Sequence, residues 1–202
     1  MSTIPLSTRY AFIAAAVLCT LAPRGAAFAE EWLIDTERST ITVRVFKSGP
    51  VSPAGGDYVI QVPLMDGSFD PSVPHMQLAI DARRMRVLEG ALSAKERQEV
   101  QALMLGADVL DVDRFPWISF HSVEIQRLDG AEWLVQGELG MHGHVRATPV
   151  SVTPGHNRYK GSTTIRQSEY GIAPLTLAGG TVGVKDEITI DFDIVIAEGR
   201  SP

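Results

Sequence analysis

Cysteine is almost missing from this chain: Cys19 is the only one among 202 residues, so nothing after it can form a disulfide or act through a thiol. Concentrated positive charge is missing too. Lys and Arg number 18 against 24 Asp and Glu, and the basic residues are scattered, which argues against nucleic acid or an anionic lipid surface as partner. No apolar run reaches the roughly 18 residues of a membrane span. Charge runs, low-complexity tracts and internal repeats are absent, so a second domain has no sequence support. Chemical fingerprints are lacking as well: there is no GxSxG, Walker A, HExxH or Rossmann pattern, and Gly179-Gly180 reads as a loop, not a phosphate cradle. Ser, His and Asp are all present, but their order does not point to a catalytic triad.

What is present begins with an address. Arg9 precedes an apolar stretch from Tyr10 to Leu21, followed by Pro23 and the small-residue end Ala27-Phe28-Ala29. This reads as a secretory signal over residues 1–29, cleaved before Glu30, and leaves residues 30–202 as one domain. Cys19 falls inside the signal; lipid attachment there would need a small residue before it, and Leu18 is not small. The signal carries Arg9 and Arg24 and no acidic residue, so the remaining chain has 16 basic and 24 acidic residues and a formal charge of −8. Export without disulfides is compatible with a bacterial periplasm, with no integral membrane segment once the signal is removed.

The rest of the chain alternates. In ITIDFDIVI, Ile188, Ile190, Phe192, Ile194 and Ile196 point one way while Thr189, Asp191 and Asp193 point the other, the period of a strand with one buried face. The same reading predicts strands over Glu31–Asp35, Ser39–Phe46, Tyr58–Val62, His75–Asp81, Trp117–Ile125, Glu132–Leu139, Val145–Val152 and Tyr159–Ser168, with a Gly/Pro/Ser-rich loop over Ser48–Gly56. One segment breaks the pattern. Ser93 with Glu96 forms a capping box before a helix reaching Leu105, whose Val100, Leu103 and Met104 share a stripe that should lie on the sheet. A short turn over Ala107–Leu110 follows. The expected fold is all-β with one to two short helices: about eight antiparallel strands in meander order, the number at which a sheet can close into a barrel.

Several segments are more specific. Leu110-Asp111, then Arg114-Phe115-Pro116 before Ile118-Ser119-Phe120; Gly137-Glu138-Leu139 leading to His142-Gly143; Tyr170-Gly171-Ile172; and Val184-Lys185-Asp186-Glu187-Ile188 occur in order across the domain. Together they closely resemble the YceI family of exported polyisoprenoid-binding proteins. The resemblance implies an elongated, lipocalin-like eight-stranded β-barrel with a helix over it and an apolar tunnel for an isoprenoid lipid or quinone tail. It implies a binder and not an enzyme, with no cofactor, and homodimers occur among similar proteins. The chain departs from the family at Gly55-Gly56-Asp57-Tyr58, where related members carry Gly-His-x-His, and matches only loosely around Met65–Asp70. No role of those histidines carries over.

The bulky residues on inward faces are the expected tunnel lining: Val43, Val45, Leu78, Ile80, Ile118, Phe120, Leu139, Met141, Ile190, Phe192 and Ile194. Periodicity alone favours a filled core at these positions, because an eight-stranded barrel is just wide enough to be packed solid; the resemblance implies a hollow one. Burying hydrocarbon yields about 0.8 kcal/mol per CH₂, so a prenyl tail could bind without any catalytic group.

His142 and His144 are the only residues suggesting chemistry. At i and i+2 on an extended chain they would face the same side, as zinc ligands on a strand do, but a third ligand is required and His75, His121 and His156 lie at no diagnostic spacing. A turn or hydrogen-bonding role is favoured, and no metal site is expected. Asp191 and Asp193 lie opposite Ile190 and Phe192 and so belong to solvent. Arg166 suits a surface ion pair, or a head group. Trp117, Trp133 and Tyr170 either pack or line a tunnel mouth, and Trp117 alternates away from Phe120, toward the outside and the predicted helix. The alternatives to a lipid carrier are an envelope interaction or stress module with a packed barrel, and a metal-dependent enzyme acting on isoprenoid lipids through His142 and His144.

Overall fold

Alternating β-branched and polar residues give the chain little choice but sheet, and the architecture follows from where that alternation slips. The computed structural model describes residues 32–48, 57–70, 75–88, 90, 92–128, 130–177 and 182–197. The expected signal over 1–29, the loop between Ser48 and Asp57 and the Gly179-Gly180 pair lie outside the described residues.

The strands are β1 (Trp32–Leu33), β2 (Thr40–Ser48), β3 (Tyr58–Gln61), β4 (Leu64–Asp70), β5 (His75–Asp81), β6 (Arg86–Val87), β7 (Trp117–Arg127), β8 (Trp133–Met141), β9 (His144–Gly155), β10 (Arg158–Arg166), β11 (Thr176–Leu177) and β12 (Val182–Val195). All described pairings are antiparallel, in the order β1-β4-β5-β7-β8-β9-β10-β12-β2-β3-β6, with β11 also paired to β12. Ile34 then bridges Ile196, the Asp35 N–H donates to the Val195 carbonyl at 2.8 Å, and the Ala197 N–H to the Leu33 carbonyl at 2.9 Å. The path from β1 to β12 thus returns on itself as a ring, with β1 and then β2-β3-β6 on the edge of β12 opposite β10.

The expected count of eight strands is corrected to twelve among the described residues. Three strands, β4, β6 and β11, were not expected, each for a physical reason. β6 and β11 are two residues long, too short to carry a period. β4 has seven residues, but its register shifts between Leu64 and Asp66, so Leu64, Gly67 and Phe69 are buried instead of every second residue. A second bulge, between Ser122 and Glu124 in β7, turns Val123 outward at 67 % exposure and returns Ile125 to the inside. β10 ends at Arg166, two residues before expectation. There Asp186 captures the Ser168 N–H at 2.8 Å and its hydroxyl at 2.6 Å, and a 3-10 turn over Gln167–Tyr170 closes on Gly171 at φ +74°.

Helix α1 (Ala94–Leu105) starts at the predicted capping box: Ser93 Oγ accepts from the Glu96 N–H, and the Glu96 carboxylate accepts from the Ser93 N–H at 2.8 Å. Gln101 ties it to the sheet. Its side-chain amide donates to the Met85 carbonyl at 2.9 Å and its carbonyl accepts from the Val87 N–H at 2.8 Å, so one side chain covers the exposed edge of β6.

Outside the ring the charges pair. Arg44 meets Asp191 at 3.0 Å, Lys160 meets Asp193 at 3.2 Å, and Arg158 also bonds Asp193. Hydrogen bonds from the Arg158 guanidinium, then Lys160, hold the Asp193 carboxyl below the ordinary carboxylate range, and Ser168 does the same for Asp186. Groups whose folded pKa is depressed contribute stability above the unfolded value, about 3.9 for Asp, and lose it as pH falls through the folded value. The melting temperature should therefore be flat between about pH 7 and pH 5 and fall below about pH 4. Asp193→Asn should flatten that acid limb by up to about one proton, measured as the slope of stability against pH.

Candidate ligand cavity

Each inward face contributes bulky apolar side chains, and they do not meet in the middle. The interior holds a cavity of about 260 Å³ lined from β2, β3, β4, β5, β7, β8, β9, β10, β12 and α1. That exceeds the roughly 150 Å³ at which a dry apolar cavity takes up benzene, and approaches the roughly 300 Å³ at which ligand pockets begin.

All eleven residues expected to line a tunnel face this space: Val43, Val45, Leu78, Ile80, Ile118, Phe120, Leu139, Met141, Ile190, Phe192 and Ile194. The ladders bring them together in rows. Leu78, Phe120 and Leu139 sit opposite one another across β5, β7 and β8, and Val43 and Ile190 do so across β2 and β12. The predicted helix stripe of Val100, Leu103 and Met104 supplies part of the wall. Sequence reasoning missed Val150 and Val152 on β9 and Ile165 on β10, although the alternation V-S-V was there to be read.

Two glycines make room for the two phenylalanines. A Cβ on Gly137 would strike the Phe120 ring and lie 2.9 Å from the His121 carbonyl oxygen; one on Gly161 would strike the Ser151 carbonyl oxygen and lie 2.6 Å from the Phe192 ring. Each ring therefore lies against bare backbone on an adjacent strand. At one end Trp32, Phe69, Tyr159 and Trp133 follow one another with ring centroids 6.3, 5.2 and 5.8 Å apart, and Arg127 lies over Trp133.

Among the described residues no Asp, Glu, Lys, Arg or His lines the cavity. Its two tyrosines stay neutral: burial pushes the Tyr58 and Tyr159 hydroxyls up, and nearby Glu96 raises Tyr58 further. The other polar side chains are Ser122, Thr148, Thr163 and Gln167, of which Ser122 is engaged by the Met76 N–H at 2.8 Å.

The other candidate groups sit elsewhere. His142 and Gly143, at φ +51° and +75°, form the two-residue turn between β8 and β9, where both central residues need positive φ. His142 Nδ1 bonds the Tyr170 carbonyl at 3.0 Å, and its ring packs 4.6 Å from Phe115 and 6.5 Å from His144. The two histidines are brought together, but among the described residues no group of three His, Cys, Asp or Glu could hold a metal. Arg166 pairs with Glu187 at 3.4 Å on the surface. Trp117 is outside the ring, 53 % exposed, and covered by Arg83 at 5.4 Å; the expectation that α1 would cover it is corrected. Tyr170 is buried at 1 % exposure, and Trp133 lines the cavity.

A family model described as the YceI-like domain matches residues 32–196. The crystal structure of Burkholderia cenocepacia BcnA resembles this chain with a TM-score of 0.55 at 20 % identity, over 81 % of this chain and 99 % of that one. A mutant Campylobacter jejuni YceI protein with a monobromobimane guest gives a TM-score of 0.50 at 13 % identity, over 69 % of this chain and 82 % of its own. At these identities the likeness concerns the fold alone: a lipocalin-like antiparallel barrel, as the sequence led one to expect. No curated protein is significantly similar to the chain.

Proposed function

We propose, from the premise that this chain belongs to the YceI-like family, that it is an exported binding protein holding an isoprenoid lipid or quinone tail inside its barrel. One observation carries the reading: the cavity of about 260 Å³ is walled almost entirely by aliphatic and aromatic side chains and by no ionised group. A space of that kind offers water few partners and hydrocarbon many. Each methylene moved into it contributes about 0.8 kcal/mol, so ten carbons outweigh a moderate association cost.

The export signal over residues 1–29 supports a periplasmic site of action. Among the described residues no helix is long and apolar enough to cross a membrane. A packed interaction module is disfavoured by the volume inside the ring. An enzyme acting through His142 and His144 is disfavoured because His142 lies in the β8–β9 turn, His144 at the start of β9, and neither lines the cavity.

The test is native mass spectrometry of protein released from the periplasm without detergent, followed by solvent extraction and lipid identification. The expected result is a prenyl species at close to one per chain. An apo mass would return the packed-module reading, and stoichiometric metal by elemental analysis would revive the enzyme.

A further inference from the structure

The polar side chains of the cavity wall are not spread evenly. Thr148 on β9, Thr163 on β10 and Gln167 just beyond β10 gather on one side, where the sheet's ladder is interrupted. Although β9 runs from His144 and β10 to Arg166, the two strands pair only from Arg158–Gly155 to Ser162–Ser151, and no further pair forms among the described residues.

The reason for the interruption is local. Thr163 Oγ1 donates to the Pro149 carbonyl at 2.7 Å, which shows that the carbonyl of Pro149 faces β10. On a strand the N–H of the same residue faces the same way, and proline has none, so the ladder cannot continue there. The turn after β10 fills the seam instead: its Tyr170 hydroxyl meets that of Thr148 on β9 at 3.2 Å, and its Gln167 amide donates to the Lys185 carbonyl of β12 at 2.9 Å. Thr148 also donates to the Arg146 carbonyl at 3.2 Å.

These groups have hydrogen-bonding capacity beyond those bonds. A threonine hydroxyl offers one donor and two acceptor sites, and a glutamine amide two donors and a carbonyl. We propose that the β9–β10 seam, with Thr163 and Gln167 at its centre, is the head-group subsite of the cavity, and that it selects an uncharged hydroxyl-bearing head such as an alcohol or a quinol, whose O–H can donate to the Thr163 oxygen that already gives its own hydrogen to Pro149 and whose oxygen can accept from the remaining N–H of Gln167. The proposal rests on the reading of the cavity as a lipid site. An ionised diphosphate does not suit the seam, because the wall provides no cation to offset the cost of burying it. Among the described residues the cations stand outside the wall: Lys47 lies over Tyr58 and Arg127 over Trp133.

The experiment measures binding of three probes of equal chain length to the delipidated protein: a diprenyl alcohol, the diprenyl diphosphate and the headless diprenyl hydrocarbon. The wild type should prefer the alcohol to the hydrocarbon by about tenfold, the yield of one to two hydrogen bonds. Thr163→Val should erase that preference without weakening the hydrocarbon, and Thr163→Ser, which restores the hydroxyl, should recover it. Equal binding of alcohol and hydrocarbon by the wild type overturns the subsite while leaving the lipid reading intact. So does equal weakening of both by Thr163→Val, or tightest binding of the diphosphate, which would place the head beside a cation. If none of the three binds, the lipid reading itself fails and the subsite with it.

Discussion

On the proposed lipid-binding function, Phe120→Asp is expected to abolish retention of a lipid while the protein still folds. Phe120 stands in the middle of the row formed with Leu78 and Leu139 and lines the cavity. A carboxylate there faces a wall without a single ionised partner. Burying an unpaired polar group costs about 2–7 kcal/mol, so affinity should fall by at least about thirtyfold. The carboxyl would escape part of the cost by taking up a proton, so retention should recover partly below about pH 6. Truncation of the ring also removes packing, worth about 3–5 kcal/mol for Phe→Ala in a core, and this must be separated from the charge. Phe120→Leu provides the separation: it should cost stability yet keep the lipid. Extraction and quantification of lipid from both variants, with melting curves for each, decides the matter; retention at the wild-type level in Phe120→Asp would refute the assignment of this wall.

A second large effect, on stability alone, is expected at a residue with no side chain. Gly161→Ala should destabilise the fold by about 3 kcal/mol, the upper range of overpacking. The added methyl would be driven into the Ser151 carbonyl oxygen and would lie 2.6 Å from the Phe192 ring. A side chain can rotate out of the way, but a backbone oxygen in the β9–β10 ladder cannot move without parting the strands. For a domain of this size the melting temperature should fall by about 6–12 °C. Gly140→Ala makes the control. Its Cβ would meet the Ser119 hydroxyl at 2.8 Å, an atom that can turn away, so the cost should stay below about 1 kcal/mol. Equal melting temperatures for the two variants would mean that Gly161 is not the seat of Phe192.

How much of this could be read from the chain varies with the range of the cause. Ile188 to Ile196 alternate because neighbouring residues on a strand point to opposite faces, a rule that needs no third residue, and all eleven inward positions chosen on that rule line the cavity. The helix start was legible for the same reason, since Ser93 and Glu96 satisfy each other's backbone within one turn. Bulges defeat the rule. At Leu64–Asp66 and Ser122–Glu124 one strand carries an extra residue against its partner, and the partner lies in another part of the chain. That is why β4 escaped notice and why Val123 points outward.

By itself the sequence determined the sheet, its inward faces, the capped helix and the family it resembles, because each of these depends on residue type and near neighbours. Only the tertiary structure decided that the barrel is hollow, that Gly137 and Gly161 seat the phenylalanine rings, and that Pro149 leaves a polar seam between β9 and β10. Whether inward side chains meet or leave a space depends on the radius of the ring and on volumes summed across strands far apart in the chain, and no local pattern records that sum.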